Sequence, residues 1–418
     1  MCNSKLIRIF RLKICIVSIG NELLSGETIN TNATWMGKKL TALGCSVLEQ
    51  ITIPDQKESI TNTLSHNIRI NPDFVLCTGG LGPTTDDITR QTLFDFVGTK
   101  SKFDENYWQY LTEKFQRSGI EIPESNRSQA LIPIEGDVIQ NPIGSARGYK
   151  FKISGVNIIS LPGVPDEMKS MMQETVIPYI QSKGLRARKL YNLMTTGISE
   201  SALIEKIASV TEKDHGCDIG YYPALTGVNI RIAHKNRESV KRLGDEIKNI
   251  LGVEVYSENG DSIESVIVSL AKEKNKTIAI AESCTGGLIG HRLTDVSGSS
   301  DIFRGSLVVY SNQSKTDLLD VDKALLERYG SVSTQTAESM AENVMKKFST
   351  NIGISVTGIA GPTGGTEDKP VGLVYIGLAH ESGVKVKEIR YGNDRKRNKL
   401  RTSQAALNLL RLFLLKIR

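Results

Sequence analysis

Ser283, Tyr310 and Lys315 form a residue set that can transfer an acyl group without a histidine. The serine stands in Ala281-Glu282-Ser283-Cys284-Thr285-Gly286-Gly287, the other two in Val309-Tyr310-Ser311-Asn312-Gln313-Ser314-Lys315. The approach, Lys276-Thr277-Ile278-Ala279-Ile280-Ala281, is apolar and β-branched like a buried strand. Leu288, Ile289 and Leu293, after the two glycines, keep a helical spacing. Ser283 is therefore expected on a strand-to-helix turn, where unpaired helix N–H groups could hold a phosphate or a developing oxyanion. A serine hydroxyl attacks only after a base takes its proton. Lysine, with an unperturbed pKa of about 10.4, serves only if burial or a nearby cation makes it neutral. Tyr310 could relay the proton or hold the lysine in place. Taken singly, each residue has a plainer use: a serine caps a helix, a tyrosine ends a strand, a lysine sits in solvent. Their joint appearance with a glycine-rich turn is what points to catalysis. Cys284 is a rival nucleophile, but His291 is the only histidine near it in sequence, and a cysteine opening a buried helix usually packs.

A second constellation lies nearer the start of the chain. Cys77-Thr78-Gly79-Gly80-Leu81-Gly82-Pro83-Thr84-Thr85-Asp86-Asp87 follows an apolar run. That places a glycine-rich loop at the carboxyl end of a strand, where open α/β sheets bind ligands. Gly79, Gly80 and Gly82 let backbone approach a phosphate, and Asp86 and Asp87 offer hard oxygens to a divalent metal that carries it. The plainer use of the acidic pair is to favour a helix N-terminus. Glu22, in the loop Gly20-Asn21-Glu22-Leu23-Leu24-Ser25-Gly26, is a candidate to share the metal or position water. The segment of Asn126 and Arg127 supplies a cation for phosphate. Asn141-Pro142-Ile143-Gly144 reads as a turn, and Leu161-Pro162-Gly163-Val164-Pro165-Asp166-Glu167 as strand, turn and helix start. Together these segments argue for a nucleotide cleft.

Such loops need sheets to hold them. At 418 residues the chain is long enough for two or three domains, each with its own core. Strand and helix patterns alternate over residues 13–77 and return after Thr277, which predicts two parallel-sheet α/β domains. Between them a shorter passage predicts a small α+β domain of βαββα type, and Glu258-Asn259-Gly260-Asp261-Ser262 is the best linker signal. The expected domains are residues 1–172, 173–258 and 259–418.

With 39% hydrophobic and 23% charged residues the composition is that of a soluble globular protein. The net charge of +6 is modest and the basic residues do not gather into a stripe, so nucleic acid is not expected as a partner. Six scattered cysteines, without a CxxC, fit a reducing cytosol, and the five histidines make no ligand pattern beyond the short His215-Gly216-Cys217. Residues 1–12 are basic and apolar but lack a long apolar core or cleavage site, so no secretory signal is expected; they equally fit a translation start upstream of the native one. No uninterrupted apolar run reaches about 18 residues, and neither a membrane span nor a membrane partner is expected.

With these motifs in view, residues 13–418 resemble the CinA family, named for competence/damage-inducible protein A. TGGLGPTTDDITR, NPIGSA and LPGVPDEM are similar to its molybdopterin-binding-type domain; AESCTGG, YSNQSK and VTGIAGPTGG are similar to its C-terminal nicotinamide-nucleotide amidase domain. The resemblance implies hydrolysis of nicotinamide mononucleotide to nicotinate mononucleotide and ammonia by Ser283, Tyr310 and Lys315, with no cofactor. It implies metal-dependent cleavage of ADP-ribose to AMP and ribose 5-phosphate at the N-terminal cleft. Thr285, Gly286, Gly287, Asn312, Thr357, Gly358, Gly361, Gly364 and Arg395 are the residues it implies around the amidase substrate, with Arg395 and Arg397 otherwise readable as a solvated helix start. It also implies a homodimer. Two other readings remain open: an N-terminal domain that binds a pterin or nucleotide without turnover, and an interaction protein in DNA uptake or repair.

Overall fold

The computed structural model describes residues 12–183 and 189–416. The expectations about the first residues, Cys2 included, lie outside that range. The chain divides into two units between Arg188 and Lys189.

The first unit contains β1 (Lys13–Ile19), β2 (Ser46–Ile53), β3 (Phe74–Thr78), β4 (Ser101–Phe103), β5 (Leu131–Pro133), β6 (Asp137–Ile139), β7 (Gly148–Ile153) and β8 (Val156–Leu161). The main sheet runs β2-β1-β3-β8-β7-β6, and β4 pairs with β5 apart from it. β1 lacks an alternating pattern because it is covered on both faces. Ile14 and Ile16 pack on one side with Met36, Leu40 and Met168; Cys15, Val17 and Ile19 pack on the other with Ile60, Leu64 and Leu93. The sheet is mixed rather than wholly parallel. The Ser154-Gly155 turn, with positive φ at both residues, folds β7 back antiparallel on β8, as a two-residue hairpin turn requires. The expected boundary at residue 172 also moves: helical backbone continues from Pro165 through Ser182, and Val176 and Ile180 are buried in this unit's core.

The second unit begins with a four-stranded antiparallel sheet: β9 (Lys189–Thr195), β10 (Asp218–Ala224), β11 (Gly227–His234) and β12 (Val255–Ser257), in the order β10-β11-β9-β12. With the helices Glu200–Thr211 and Arg237–Leu251 between strands, this is a βαββαβ unit of ferredoxin-like topology, one strand longer than the sequence pattern predicts. It is tied to the following α/β domain by buried polar contacts from the last helix, Arg395–Lys416. Gln404 donates to Thr196 Oγ1 at 3.1 Å, and Arg411, 2% exposed, donates to the carbonyls of Val255 at 3.4 Å and Val253 at 2.5 Å.

That α/β domain holds β13 (Ile278–Glu282), β14 (Phe303–Val308), β15 (Ile352–Gly358), β16 (Leu373–His380) and β17 (Gly383–Arg390), ordered β14-β13-β15-β16-β17. β13, β14 and β15 are parallel; β16 and β17 add antiparallel. β13 is fully buried, whereas the edge strand β17 alternates over Gly383–Lys387 between exposed and half-buried positions.

In both units strand order reverses beside one strand. β1 has β2 on one side and β3 on the other; β13 has β14 and β15. Loops leaving the carboxyl ends of such strands part in opposite directions and open a crevice. Every motif singled out above for chemistry, apart from the Asn126-Arg127 segment, lies on or beside a loop of this kind.

Candidate functional site

Ser283 follows β13 directly and is 7% exposed. Gly286 and Gly287 turn the chain with φ of 60° and 89°, a left-handed backbone that costs little only for glycine. The helix Asn312–Leu319 starts on a reciprocal cap between Ser311 and Ser314, and Lys315 lies in its first turns. The Lys315 side chain runs back to the serine. Nζ lies 3.1 Å from Ser283 Oγ and donates to the carbonyls of Val309 at 2.9 Å and Tyr310 at 3.3 Å. Lys315 is 1% exposed, and burial pulls its ammonium down from 10.5 to about 8. A neutral amine has two protons and one lone pair. The two carbonyls take the protons, which leaves the lone pair for the Ser283 hydroxyl.

The turn is held by a residue not anticipated from sequence. Glu282 is fully buried, and its carboxylate accepts from the Ile289 N–H at 3.1 Å, the Gly290 N–H at 2.8 Å and the Ser306 hydroxyl at 3.2 Å. It caps the helix Leu288–Thr294, so those helix N–H groups are not free for an anion, contrary to the expectation for this terminus. Gly286 N–H donates to the Ser283 carbonyl at 3.1 Å, while the Thr285 and Gly287 amides make no hydrogen bond among the described residues. The Thr285 hydroxyl is buried without a partner. Cys284 is buried, and burial pushes its thiol up to about 12, which keeps it protonated.

Tyr310 does not join this pair through its ring. Val309 is fully buried, so the next side chain points outward: Tyr310 is 60% exposed, and its hydroxyl accepts from Arg395 at 2.8 Å. Arg395 also donates to the Gly361 carbonyl at 3.1 Å. Lys399, one turn further along the helix and missed in the sequence, approaches Gly286; a Cβ placed on that glycine would lie 3.5 Å from its Nζ. Two cations thus border the Ser283 turn. Thr357 is turned away, donating to the Ser331 carbonyl at 2.5 Å, and Gly358 is a packing glycine whose Cβ would meet the Leu373 carbonyl at 2.7 Å. Gly364 lies on the exposed loop before β16, and Asn312 is exposed at the start of the lysine's helix.

In the N-terminal unit a cleft of about 860 Å³ opens at the reversal beside β1. Gly79, Gly80, Gly82, Glu22, Asp86 and Asp87 line it, as do Asn32, Asp55, Gln129 and Glu167, which were not singled out. Gly79 has a φ of 111° and no room for a side chain, since a Cβ would lie 2.0 Å from the Ile19 carbonyl. Asp55, from the loop after β2, accepts from the Asn21 N–H at 3.0 Å. Its carboxyl is raised by burial and by the neighbouring charges of Glu22, Asp87 and Asp86, against the lowering effect of that hydrogen bond. Asp87 is engaged within its own loop by the Thr84 N–H at 2.9 Å and hydroxyl at 2.5 Å. Asn126 and Arg127 depart from the expectation. Asn126 is buried and donates to Gln129 at 3.0 Å; Arg127 pairs with Glu124 at 3.6 Å and lies over the rings of Phe103 and Trp108, with neither residue lining the cleft. The short helix Glu124–Ala130 turns Gln129 inward instead. The acidic side chains have the hard oxygens a divalent cation takes, but among the described residues no three potential ligands are gathered closely enough to hold one. No helix among them is long and apolar enough to cross a membrane.

Residues 15–182 match the family model "Probable molybdopterin binding domain", 191–257 the "Damage-inducible protein CinA KH domain" and 260–414 the "CinA C-terminal domain". The "CinA-like protein" of Trichodesmium erythraeum is 42% identical over 408 residues, 95% of this chain and 96% of that one. That of Microcystis aeruginosa is 40% identical over 407 residues, 95% and 97% of the two chains. A solved structure described as competence/damage inducible protein CihA from Agrobacterium tumefaciens is 38% identical, covers 37% of this chain and 94% of that one, and has a TM-score of 0.36. Similar to such relatives almost end to end, and carrying all three domains in order, the chain belongs to the CinA family.

Proposed function

We propose that the C-terminal site is an amidase that hydrolyses the carboxamide of nicotinamide mononucleotide to nicotinate mononucleotide and ammonia. The observation that carries this reading is the buried contact between Lys315 Nζ and Ser283 Oγ, with the amine brought down to about 8. Ser283 Oγ attacks the carboxamide carbon while Lys315 takes its proton; the same lysine then protonates the departing ammonia, and water releases nicotinate mononucleotide from the ester. The Thr285 and Gly287 amides are the donors available to the oxyanion, and Arg395 and Lys399 are the cations available to the phosphate. Ammonia and nicotinate mononucleotide released by wild type and by Ser283→Ala test the reading: loss in the variant alone supports amidase and nucleophile together, and retention in the variant overturns the serine.

For the N-terminal cleft the proposal is cleavage of ADP-ribose to AMP and ribose 5-phosphate, with Glu22, Asp55, Asp86 and Asp87 as the groups that would hold a divalent cation. Such a cation would neutralise phosphate charge. The raised carboxyl of Asp55 supports this, because a cation relieves its crowding with three other acids. A second reading, binding of a nucleotide or pterin without turnover, is favoured by the ungathered state of those acids. AMP release from ADP-ribose, with and without a divalent metal, separates the two. The proposal extends to a homodimer and to the cytosol, which the free thiols of Cys15, Cys45, Cys77 and Cys284 suit.

A further inference from the structure

Asn32, in the first turn of the helix Thr31–Leu43, lines the N-terminal cleft and is 8% exposed. Its Nδ2 donates to the Gly163 carbonyl at 2.7 Å and to the Thr78 hydroxyl oxygen at 3.1 Å. The Thr78 hydroxyl sends its own proton to the Pro162 carbonyl at 2.7 Å. A carbonyl can only accept, and a hydroxyl whose proton is engaged can only accept, so both partners demand an N–H from Asn32. The orientation of the side-chain amide is thereby determined. Nδ2 faces the protein, and Oδ1 remains a buried acceptor with no hydrogen-bond partner.

A buried acceptor left unpaired is costly, and such groups in native proteins usually meet a ligand, a water or an ion. Ser18, Asn67, Thr89, Arg147 and Ser160 of the same unit also carry buried polar atoms without a partner. None of these lines the cleft; among the described residues of this unit, Asn32 alone meets both conditions. The cleft's charged lining is all carboxylate, Glu22, Glu27, Asp55, Asp86, Asp87 and Glu167, which can accept hydrogen bonds from a ligand but, when ionised, cannot donate them.

We propose that Asn32 is a specificity-determining residue of the N-terminal cleft, whose Oδ1 accepts a hydrogen bond from a sugar hydroxyl or an exocyclic amino group of a nucleotide ligand. This rests on the reading of the cleft as a nucleotide site. A group that can only accept, such as a phosphate or a carboxylate, is excluded from contact with Oδ1.

The test uses the full chain, wild type and Asn32→Ala, with ADP-ribose, its deoxy analogues in each ribose and its 6-oxo counterpart. Binding is read by calorimetry and turnover by AMP release, with magnesium and separately with manganese. The expected result is that the wild type discriminates against one analogue by roughly 10- to 100-fold and that Asn32→Ala treats that analogue and ADP-ribose alike, keeping its ratios for the others. A merely structural role would weaken every probe by the same factor and leave all ratios intact, and that outcome overturns the inference. Should Asn32→Ala not fold, the wild-type series decides: indifference to loss of each hydroxyl and of the amine also overturns it. Binding without turnover would remove the pyrophosphatase reading and leave the ratios readable, whereas no binding of any probe would remove the nucleotide site and the role of Asn32 together.

Discussion

Lys315 Nζ lies 3.1 Å from Ser283 Oγ across 32 residues of chain, and two backbone carbonyls hold the amine from its other side. With both protons of a neutral amine engaged, the base has one direction left in which to act. Lys315→Ala is expected to lower amidase kcat by at least roughly 1,000-fold, as loss of a nucleophile's base does, while leaving the circular dichroism spectrum unchanged. Turnover within a few-fold of wild type would remove the lysine from the mechanism.

The pH dependence follows from the same group. Below about 8 the native lysine is charged and its lone pair is occupied, so amidase kcat/KM is expected to fall as a single protonation when pH drops through about 8. Stability moves in the same direction. The native pKa lies below the unfolded value of 10.5, so the unfolded chain binds more protons between the two, and stability rises as pH climbs from about 8 toward 10.5. Below pH 8 the buried charge costs roughly 3 kcal/mol. Lys315→Met loses this pH dependence together with the donors to the Val309 and Tyr310 carbonyls, so the stability difference between wild type and variant is expected to shift toward wild type between pH 7 and pH 10, a comparison that urea midpoints can make.

Cys284 neighbours Ser283 but is not expected to share the proposed chemistry. Because its thiol is pushed up to about 12, Cys284→Ala should keep amidase turnover within about three-fold and wild type should resist iodoacetamide at neutral pH. Rapid inactivation by the reagent, with modification mapped to Cys284, would contradict this.

Tyr310 offers its carbonyl to the lysine and its hydroxyl to Arg395. The carbonyl survives in Tyr310→Phe, so kcat is expected to stay within about ten-fold of wild type, and the larger effect should fall on KM through Arg395. A collapse of kcat equal to that of Lys315→Ala would restore the tyrosine as a proton relay.

Arg411 donates to two carbonyls of the ferredoxin-like domain from the last helix of the C-terminal α/β domain. Arg411→Leu removes the donor to the buried Val255 carbonyl and the tie to Val253. A loss of roughly 2–4 kcal/mol in urea unfolding is expected, with kcat unchanged where the variant is folded.

How much of this was legible in the chain differs from residue to residue. Ser283 and its turn were readable because the cause is local: an apolar strand, two glycines, then a helical spacing. The hairpin that makes the first sheet mixed was missed, although Ser154-Gly155 carries a turn signal, because the strands on either side read like any other apolar run. Glu282 could have been noticed as a carboxylate at the end of a fully apolar strand, a place where burial demands partners. Asp55 and Asn32 carry no such mark, and only their position at the cleft distinguishes them from surface acids and helix-start amides.

The sequence alone determined the alternation of strands and helices, the glycine loops at the carboxyl ends of strands, and the place of Ser283 on a strand-to-helix turn, because each follows from side-chain periodicity or from backbone that only glycine adopts cheaply. Tertiary structure decided which side chains those loops present to one another. The burial that lowers Lys315, the outward turn of Tyr310 toward Arg395, the departure of Arg127 to the rings of Phe103 and Trp108, and the convergence of Asp55 with Glu22, Asp86 and Asp87 all depend on neighbours far away in the chain. A charge's energy is set by the solvent it loses and the partners it meets, and both are properties of the packed molecule rather than of the local sequence.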